Sequence, residues 1–207
     1  MSKKTSKRKI RGQLQPTTGE ELLRRRRQAA EKFLQIAATI KAEAGITRHD
    51  VCKELRGLAW FDSGVILAPE GRTRKQLYVL AHECAHVALK HGEQPDRARK
   101  PQHVEELEAE QWAHDALRRH GVPVPRVMTH GARRYVGHWI EKDERNGVVV
   151  THEEALRFAG QLTPSRRRAL RNRAQTPAPD PSPQSWVAQL LSRIFRRGGS
   201  GLRGNTA

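Results

Sequence analysis

The feature that most constrains the fold is a stretch with the periodicity of a buried amphipathic helix. Between residues 74 and 91, apolar side chains recur at spacings of three and four positions, which places them on one helix face. Thr73 and Gln76 form a capping box at the start, and Gly92 is a typical residue after a helix end. The sequence therefore predicts a helix over about 74–91, with one face that must pack against other elements.

The middle of this predicted helix holds a metal-binding motif of the HExxH type, at residues 82–86. His82 and His86 are four positions apart on one helix face, so both imidazoles can reach a single metal ion. Glu83 lies beside the first histidine, where its carboxylate can take a proton from a water molecule as a general base. The motif predicts Zn²⁺ as cofactor, His82 and His86 as metal ligands and Glu83 as the catalytic residue. The alternative interpretation is a surface helix that carries two histidines by chance.

A catalytic zinc site takes a third protein ligand, and a second predicted helix is rich in carboxylates. This helix covers about 102–120, between Pro101 and Gly121. Its four competing acids are Glu105, Glu106, Glu108 and Glu110. Helical spacing from Glu106 leads mostly to alanine and leucine, so this side chain is expected to point inward. A carboxylate buried there needs a partner, and a metal ion is such a partner.

The other three acids have different surroundings on the predicted helix. Glu110 lies one turn after Glu106 on the same face, so it is expected either to orient a ligand from outside the coordination sphere or to replace Glu106. The face of Glu108 is more polar, and that of Glu105 is mixed. A solvated helix face is the alternative for each of these carboxylates.

The two predicted helices carry a pair of motifs that resembles one group of metallopeptidases. The sequence LYVLAHECAHVAL at residues 77–89, followed by ELEAEQWA at residues 106–113, is similar to the ImmA/IrrE group of small zinc metallopeptidases, or minigluzincins. It also resembles the related peptidase-like domain of ArdC-type antirestriction proteins. The resemblance covers about residues 55–120, and it implies a zincin-like domain in which Glu106, the leading glutamate of the second motif, is the third zinc ligand.

The resemblance also implies a substrate class. By analogy with the group, we expect a peptidase that acts on a protein substrate, such as a repressor or regulator of a mobile genetic element. The sequence departs from the group at Trp112, where phenylalanine is usual, and at residues 118–120, which replace a Leu-Met-Pro-like ending. Neither departure concerns a predicted metal ligand.

Two short apolar runs before the first helix have the pattern of a β-hairpin. Residues 58–61 and 65–68 flank a turn at residues 62–64, and Pro69 closes the second run. The predicted fold class is α+β: a zincin-like helical domain with a short antiparallel hairpin or sheet before the HExxH helix, flanked by basic, partly disordered ends. In the group that the chain resembles, an edge strand pairs with an extended peptide substrate. A hairpin that only covers the helices is the alternative.

The positive charge of the chain lies at its ends. The net charge is +17, and residues 1–30 hold ten Lys or Arg against two acids, while residues 161–207 hold nine against one. Such clusters attract phosphate backbones by counterion release, which predicts a non-specific nucleic-acid partner. No aromatic residue lies in either cluster, so base stacking is not expected. The candidate residues are Arg24, Arg25, Arg26, Arg27, Arg166, Arg167 and Arg168. Solvated helix faces are the alternative.

Composition and helix signals divide the chain into four parts. Residues 1–17 are predicted to be a disordered basic arm, and residues 18–160 a zincin-like metallopeptidase domain with helices at about 18–44, 131–145 and 151–160. Residues 161–183 form a basic segment and a proline-rich linker, and residues 184–207 an amphipathic basic helix and tail. The terminal helix is expected to dock on the core or on a protein partner, with a membrane surface as the alternative.

No apolar run in the sequence approaches transmembrane length, and no apolar region follows the basic N-terminus as in a secretory signal. The two cysteines, Cys52 and Cys84, do not suggest a disulfide framework, so a cytoplasmic location is expected. Tyr78 lies one turn before His82 and His114 two turns after Glu106, so either could stabilise an oxyanion, although a packing or surface role is the preferred interpretation for both. The remaining histidines show no ligand-like spacing.

The function predicted from the sequence is that of a zinc-dependent peptidase of the HExxH type with a distant glutamate ligand. The alternative is an antirestriction-type protein that associates with nucleic acid and uses the zincin-like domain as a scaffold.

Overall fold

The structure, a computed structural model, describes residues 18–92 and 100–175. These residues form six α-helices and one three-stranded sheet, which confirms the predicted α+β class. The elements in chain order are α1 (Gly19–Glu43), β1 (Arg48–Cys52), β2 (Leu58–Trp60), β3 (Val65–Pro69), α2 (Arg74–Ala88), α3 (Gln102–Arg119), α4 (Arg126–Arg145), α5 (Glu153–Phe158) and α6 (Pro164–Gln175). None of these helices is both long enough and apolar enough to span a membrane.

The HExxH helix starts where the sequence predicts and ends earlier. The Thr73 hydroxyl accepts a hydrogen bond from the backbone N–H of Gln76 at 3.3 Å, as in a capping box. The helix ends at Ala88 instead of residue 91, because Lys90 adopts a left-handed backbone with φ of 54°. The N–H of Lys90 then bonds to the Val87 carbonyl and that of His91 to the His86 carbonyl, which closes the helix as a Schellman turn.

Two later helices differ from the prediction at their starts. Helix α4 begins at Arg126 instead of Gly131. Pro125 is a favourable residue at a helix start, and Gly131 inside the helix lowers stability by only about 1 kcal/mol. The predicted capping box of α5, Thr151 with Glu154, is wrong. His152 is the cap instead, since its Nδ1 accepts from the N–H of Ala155 at 3.2 Å. The Glu154 carboxylate bonds to a side chain of α3 and is not available for capping.

The sheet contains the predicted hairpin and one strand that the sequence did not predict. Strands β2 and β3 pair antiparallel, with Ala59 opposite Ile66. Strand β1 pairs with β3 in parallel, so the strand order is β1-β3-β2 and the sheet is mixed instead of purely antiparallel. The sequence does not reveal β1 because its side chains, Arg48 to Cys52, are largely exposed and show no apolar alternation. It is paired through its backbone.

The core surrounds α2, which packs against β3, α1 and α3. Ile40 of α1, Ile66 of β3 and Leu80 of α2 are fully buried. The small-residue face predicted for α3 lies in the same core, with Ala109, Ala113, Ala116 and Leu117 fully buried. Because alanines let two helices approach closely, this face brings the side chains of α3 near those of α2.

A buried pair of side chains joins α4 to the start of α3. The N-cap residue of α3, Pro101, offers no side-chain hydrogen bond. Instead, Oδ2 of Asp143 in α4 accepts from the backbone N–H of His103 at 3.1 Å and faces its ring Nδ1 at 2.7 Å. Asp143 therefore caps a neighbouring helix and fixes the turn that precedes Glu106.

The chain divides into two compact units after Leu162, and α6 is the described part of the second unit. The predicted basic segment at 161–183 thus contains helix α6, which was not predicted from the sequence. The predicted disordered arm at 1–17, the proline-rich part of the linker at 176–183 and the terminal helix at 184–207 lie outside the described residues.

We expect Asp143→Ala to lower the free energy of unfolding by about 1–3 kcal/mol, because it leaves two buried donors of His103 without an acceptor. Asp115→Ala, which removes an exposed ion pair with Arg118, is the matched control and should change stability by less than about 0.5 kcal/mol. Urea unfolding of both variants measures the difference. Equal midpoints would contradict the capping role of Asp143.

Candidate metal centre

Three side chains from α2 and α3 converge on one point. His82 and His86 lie one turn apart on α2, with their Nε2 atoms 3.2 Å from each other. Oε2 of Glu106, on the facing side of α3, lies 3.3 Å from Nε2 of His82 and 3.6 Å from Nε2 of His86. The structure therefore brings together the three residues predicted as metal ligands, and in the described residues they form the group that could hold a metal ion.

The spacing of these three donor atoms fits a zinc ion. In a tetrahedral site with ligand bonds of about 2.0–2.1 Å, two neighbouring donors lie about 3.3–3.4 Å apart. The observed distances of 3.2, 3.3 and 3.6 Å are close to this value. Two imidazoles and one carboxylate are also the donor set of a catalytic zinc site with one open position.

One carboxylate oxygen of the centre is buried without a hydrogen bond. Glu106 is 4% exposed, and its Oε1 accepts from the Gln102 amide at 2.9 Å. Its Oε2 makes no hydrogen bond, since neither contact with a histidine has the required geometry. A buried carboxylate oxygen without a partner is costly, and a cation between the three donors would remove that cost.

The electrostatics keep this carboxylate ionised. Burial acts to raise the pKa of the Glu106 carboxyl, but the two imidazoles outweigh it and hold the pKa well below its usual value. An ionised carboxylate is the form that binds a metal ion.

Glu110 lies next to His82, and its predicted role, to orient this ligand or to replace Glu106, stays a prediction. Its Oε1 is 3.2 Å from Nδ1 of His82, at ion-pair distance although without the angle of a hydrogen bond. Its Oε2 accepts from the hydroxyl of Tyr78, and that hydroxyl also lies 3.3 Å from Nε2 of His114. Burial and the neighbouring Glu110 raise the pKa of Tyr78, so its hydroxyl stays a donor. Tyr78 and His114 thus support Glu110.

Glu83 occupies a narrow position beside the two histidines. It is 7% exposed, and burial raises the pKa of its carboxyl, which makes it a stronger base. Its side chain rests on Gly57 just before β2: a Cβ at Gly57 would lie 2.3 Å from Cγ and 2.6 Å from Oε1 of Glu83. Only glycine leaves room for this carboxylate, which explains the residue at position 57.

Two pockets open on either side of the centre and share Gly57, His82, Glu83 and Tyr135. The first has a volume of about 260 Å³ and is lined by β2 and by aromatic side chains, among them Phe61 and Trp139. The second has a volume of about 350 Å³ and lies between α2, α4 and the segment before β2. Its apolar lining consists of Leu55, Val79, Val127, Met128 and Ala132.

Sequence reasoning missed one histidine of the site. Nδ1 of His91 lies 2.9 Å from Nδ1 of His86, and its Nε2 lies 3.2 Å from Oε2 of Glu108. Burial is the main cause that lowers the pKa of His91 to about 4. Helical spacing could not indicate this contact, because His91 lies beyond the end of α2 and is turned back by the left-handed Lys90.

The predicted nucleic-acid contacts are not part of the centre. Arg24, Arg25, Arg26 and Arg27 are exposed along the first turns of α1, and Arg166, Arg167 and Arg168 lie on α6, where Arg166 is half-buried. Arg24, Arg25, Arg26 and Arg27 line neither pocket. The role of all seven arginines stays a prediction.

Comparisons with known proteins identify no relative of this chain. It matches no protein-family model, no curated protein and no solved structure. Function therefore has to be inferred from the geometry of the chain's own residues.

Loss of a residue that hydrogen-bonds to a metal ligand lowers metal affinity by about 10–100-fold. We expect Glu106→Gln to lower zinc affinity by more than this, because the amide removes the anionic donor. Glu105→Gln is the matched control: it is also buried on α3, its oxygen accepts from Gly92 N–H, and an amide oxygen can still do so. Competition titration against a chromophoric chelator gives both affinities. A Glu106→Gln variant that binds as tightly as Glu105→Gln would remove Glu106 from the ligand set.

Proposed function

We propose that the protein is a zinc-dependent peptidase with a zincin-like domain of the ImmA/IrrE type. The observation that carries this proposal is the convergence of His82, His86 and Glu106 at the spacing of a tetrahedral zinc site, with the base Glu83 beside it. The two pockets that meet at these residues leave the site open to a substrate. His82, His86 and Glu106 would hold Zn²⁺.

Zinc, when bound, supplies Lewis acidity that polarises a carbonyl group and lowers the pKa of a water molecule to about 7. Glu83 then acts as general base: it takes one proton from the water as the water oxygen bonds to the peptide carbonyl carbon. When the carbon–nitrogen bond breaks, the same carboxyl returns the proton to the leaving amine. Glu110 lies at ion-pair distance from the ring of His82, and Gly57 leaves space for Glu83.

The position of β2 suits an extended peptide. In the order β1-β3-β2 this strand is an edge, so one side of its backbone has no strand partner in the described sheet. Leu58 and Ala59 of β2 line the first pocket, beside the metal ligands. A substrate that adds to this edge as a strand would bring one of its peptide bonds to the centre.

The second pocket supports a preference in the substrate. Its wall of Leu55, Val79, Val127 and Met128 would desolvate an apolar side chain. The proposed substrate is therefore a locally unfolded protein segment with an apolar residue next to the cleaved bond. The resemblance of the motifs suggests a repressor or regulator of a mobile genetic element as its source.

The alternative function, a scaffold associated with nucleic acid, is supported by the exposure of Arg24, Arg25, Arg26 and Arg27 on α1. It shares the metal centre with the peptidase and differs in that no peptide is cleaved. The cytoplasmic location and a partner for the terminal helix stay predictions.

The peptidase is tested with the zinc-loaded full chain and a peptide library prepared from a whole proteome. We expect the wild type to cleave a subset of peptides, with apolar residues enriched beside the cleaved bonds. Glu83→Gln should lower the cleavage rate by about 10²–10⁴-fold while it retains zinc, because the amide cannot accept a proton.

The matched control is Glu54→Gln, which alters an exposed glutamate outside both pockets and should cleave at the wild-type rate. Equal cleavage by Glu83→Gln and the wild type would show that Glu83 is not the base. A zinc-loaded wild type that leaves the library intact would favour the scaffold function.

A further inference from the structure

We propose that His91 is a positioning residue of the zinc site, which fixes the ring orientation and the tautomer of His86 and connects it to Glu108. The inference rests on the proposed metal centre. Its basis is a chain of contacts: His86 Nδ1 to His91 Nδ1 at 2.9 Å, His91 Nε2 to Glu108 Oε2 at 3.2 Å, and Glu108 to Lys100 Nζ at 2.7 and 2.8 Å.

If His86 is a metal ligand, the positions of the protons in the contacts from His86 through His91 to Glu108 are determined. Nε2 of His86 faces the centre, so as a metal ligand His86 would use the lone pair of Nε2 and would carry its ring proton on Nδ1. That N–H can donate only if Nδ1 of His91 carries no proton. His91 is therefore a neutral ring protonated at Nε2, and this N–H points to the carboxylate of Glu108, which accepts it. This arrangement of protons gives each of these ring nitrogens a suitable donor or acceptor.

The contact between His86 and His91 depends on an unusual backbone conformation at Lys90. Lys90 has φ of 54°, a conformation that non-glycine residues adopt rarely. It turns the chain so that the N–H of His91 bonds to the carbonyl of His86 at 3.0 Å. The ring of His91 is thereby held against that of His86, with centroids 5.0 Å apart, and the residue is 4% exposed. Lys90 is the left-handed residue of the Schellman turn, a position that glycine usually takes, and this turn places the buried imidazole of His91 on His86.

The two histidine ligands are thus supported in different ways. Behind His82 stands a carboxylate, Glu110, at 3.2 Å. Behind His86 stands a neutral imidazole, and the carboxylate of Glu108 acts on the ligand only through that ring. Lys100 partly balances the Glu108 charge at the edge of the site. His91 therefore contributes orientation to His86 with less negative charge than a direct carboxylate would add.

Three variants of the full chain test the role of His91. His91→Leu removes the acceptor for His86 Nδ1–H, whereas His91→Asn places an amide oxygen where Nδ1 stood. His49→Leu makes the same change at a half-buried histidine of β1 that contacts Lys41 and the Ala68 carbonyl and lies outside the site. Three quantities are measured for each variant. They are the zinc affinity by chelator competition, the visible spectrum with Co²⁺ in place of zinc, and the unfolding midpoint of the metal-free protein.

We expect His91→Leu to lower zinc affinity by about 10–100-fold and to change the Co²⁺ spectrum, with His91→Asn restoring most of both. His49→Leu should keep wild-type zinc affinity and spectrum. Wild-type affinity and spectrum in His91→Leu would overturn the inference. The inference would also be overturned if His91→Leu and His91→Asn lost zinc affinity equally and in proportion to their loss of metal-free stability, since that pattern indicates a packing role. A wild type that binds no zinc would overturn the metal centre itself, and this inference with it.

Discussion

The packing of α3 on α2 is the interaction on which the site depends. The two histidines belong to one helix and the carboxylate to the other, so the distance between the helices sets the distance between Glu106 and His82. Ala113 and Leu117, which follow Glu106 at helical spacing, are fully buried in one core cluster with residues of α2. Larger side chains there would push the helices apart and move the carboxylate away from the imidazoles. The sheet, the helix caps and the turns stabilise this contact between α2 and α3.

Burial of several carboxylates on one helix costs free energy, and the pattern of their hydrogen bonds indicates where a cation would bind. Glu105, Glu106 and Glu110 are each 4% exposed. Oxygens of these residues accept from Gly92 N–H, from the Gln102 amide and from the Tyr78 hydroxyl. Within the described part of the chain, Oε2 of Glu106 is the carboxylate oxygen that is buried without a hydrogen bond. That oxygen is also the one aimed at both Nε2 atoms, which is where a metal ion would satisfy it.

The elements that the sequence predicts well are those with a strong local pattern. The periodicity of α2 and α3, with their alanine faces, indicates both helices and the inward direction of Glu106, and the turn at residues 62–64 indicates the hairpin. The missed features depend on contacts distant in sequence or on backbone geometry. Strand β1 is paired through its backbone and has exposed side chains, so no apolar alternation marks it. His91 reaches His86 only because Lys90 is left-handed, and residue type gives no warning of that.

The central claim is that two imidazoles and one carboxylate bind zinc, and X-ray absorption at the zinc edge tests it most directly. For the full chain loaded with one equivalent of zinc, we predict a first coordination shell of nitrogen and oxygen at about 2.0–2.2 Å, with the outer-shell scattering of two imidazoles. A sulfur contribution at about 2.3 Å would mean that Cys52 or Cys84 binds the metal and would contradict the account. A shell of oxygen alone, without imidazole scattering, would contradict it equally.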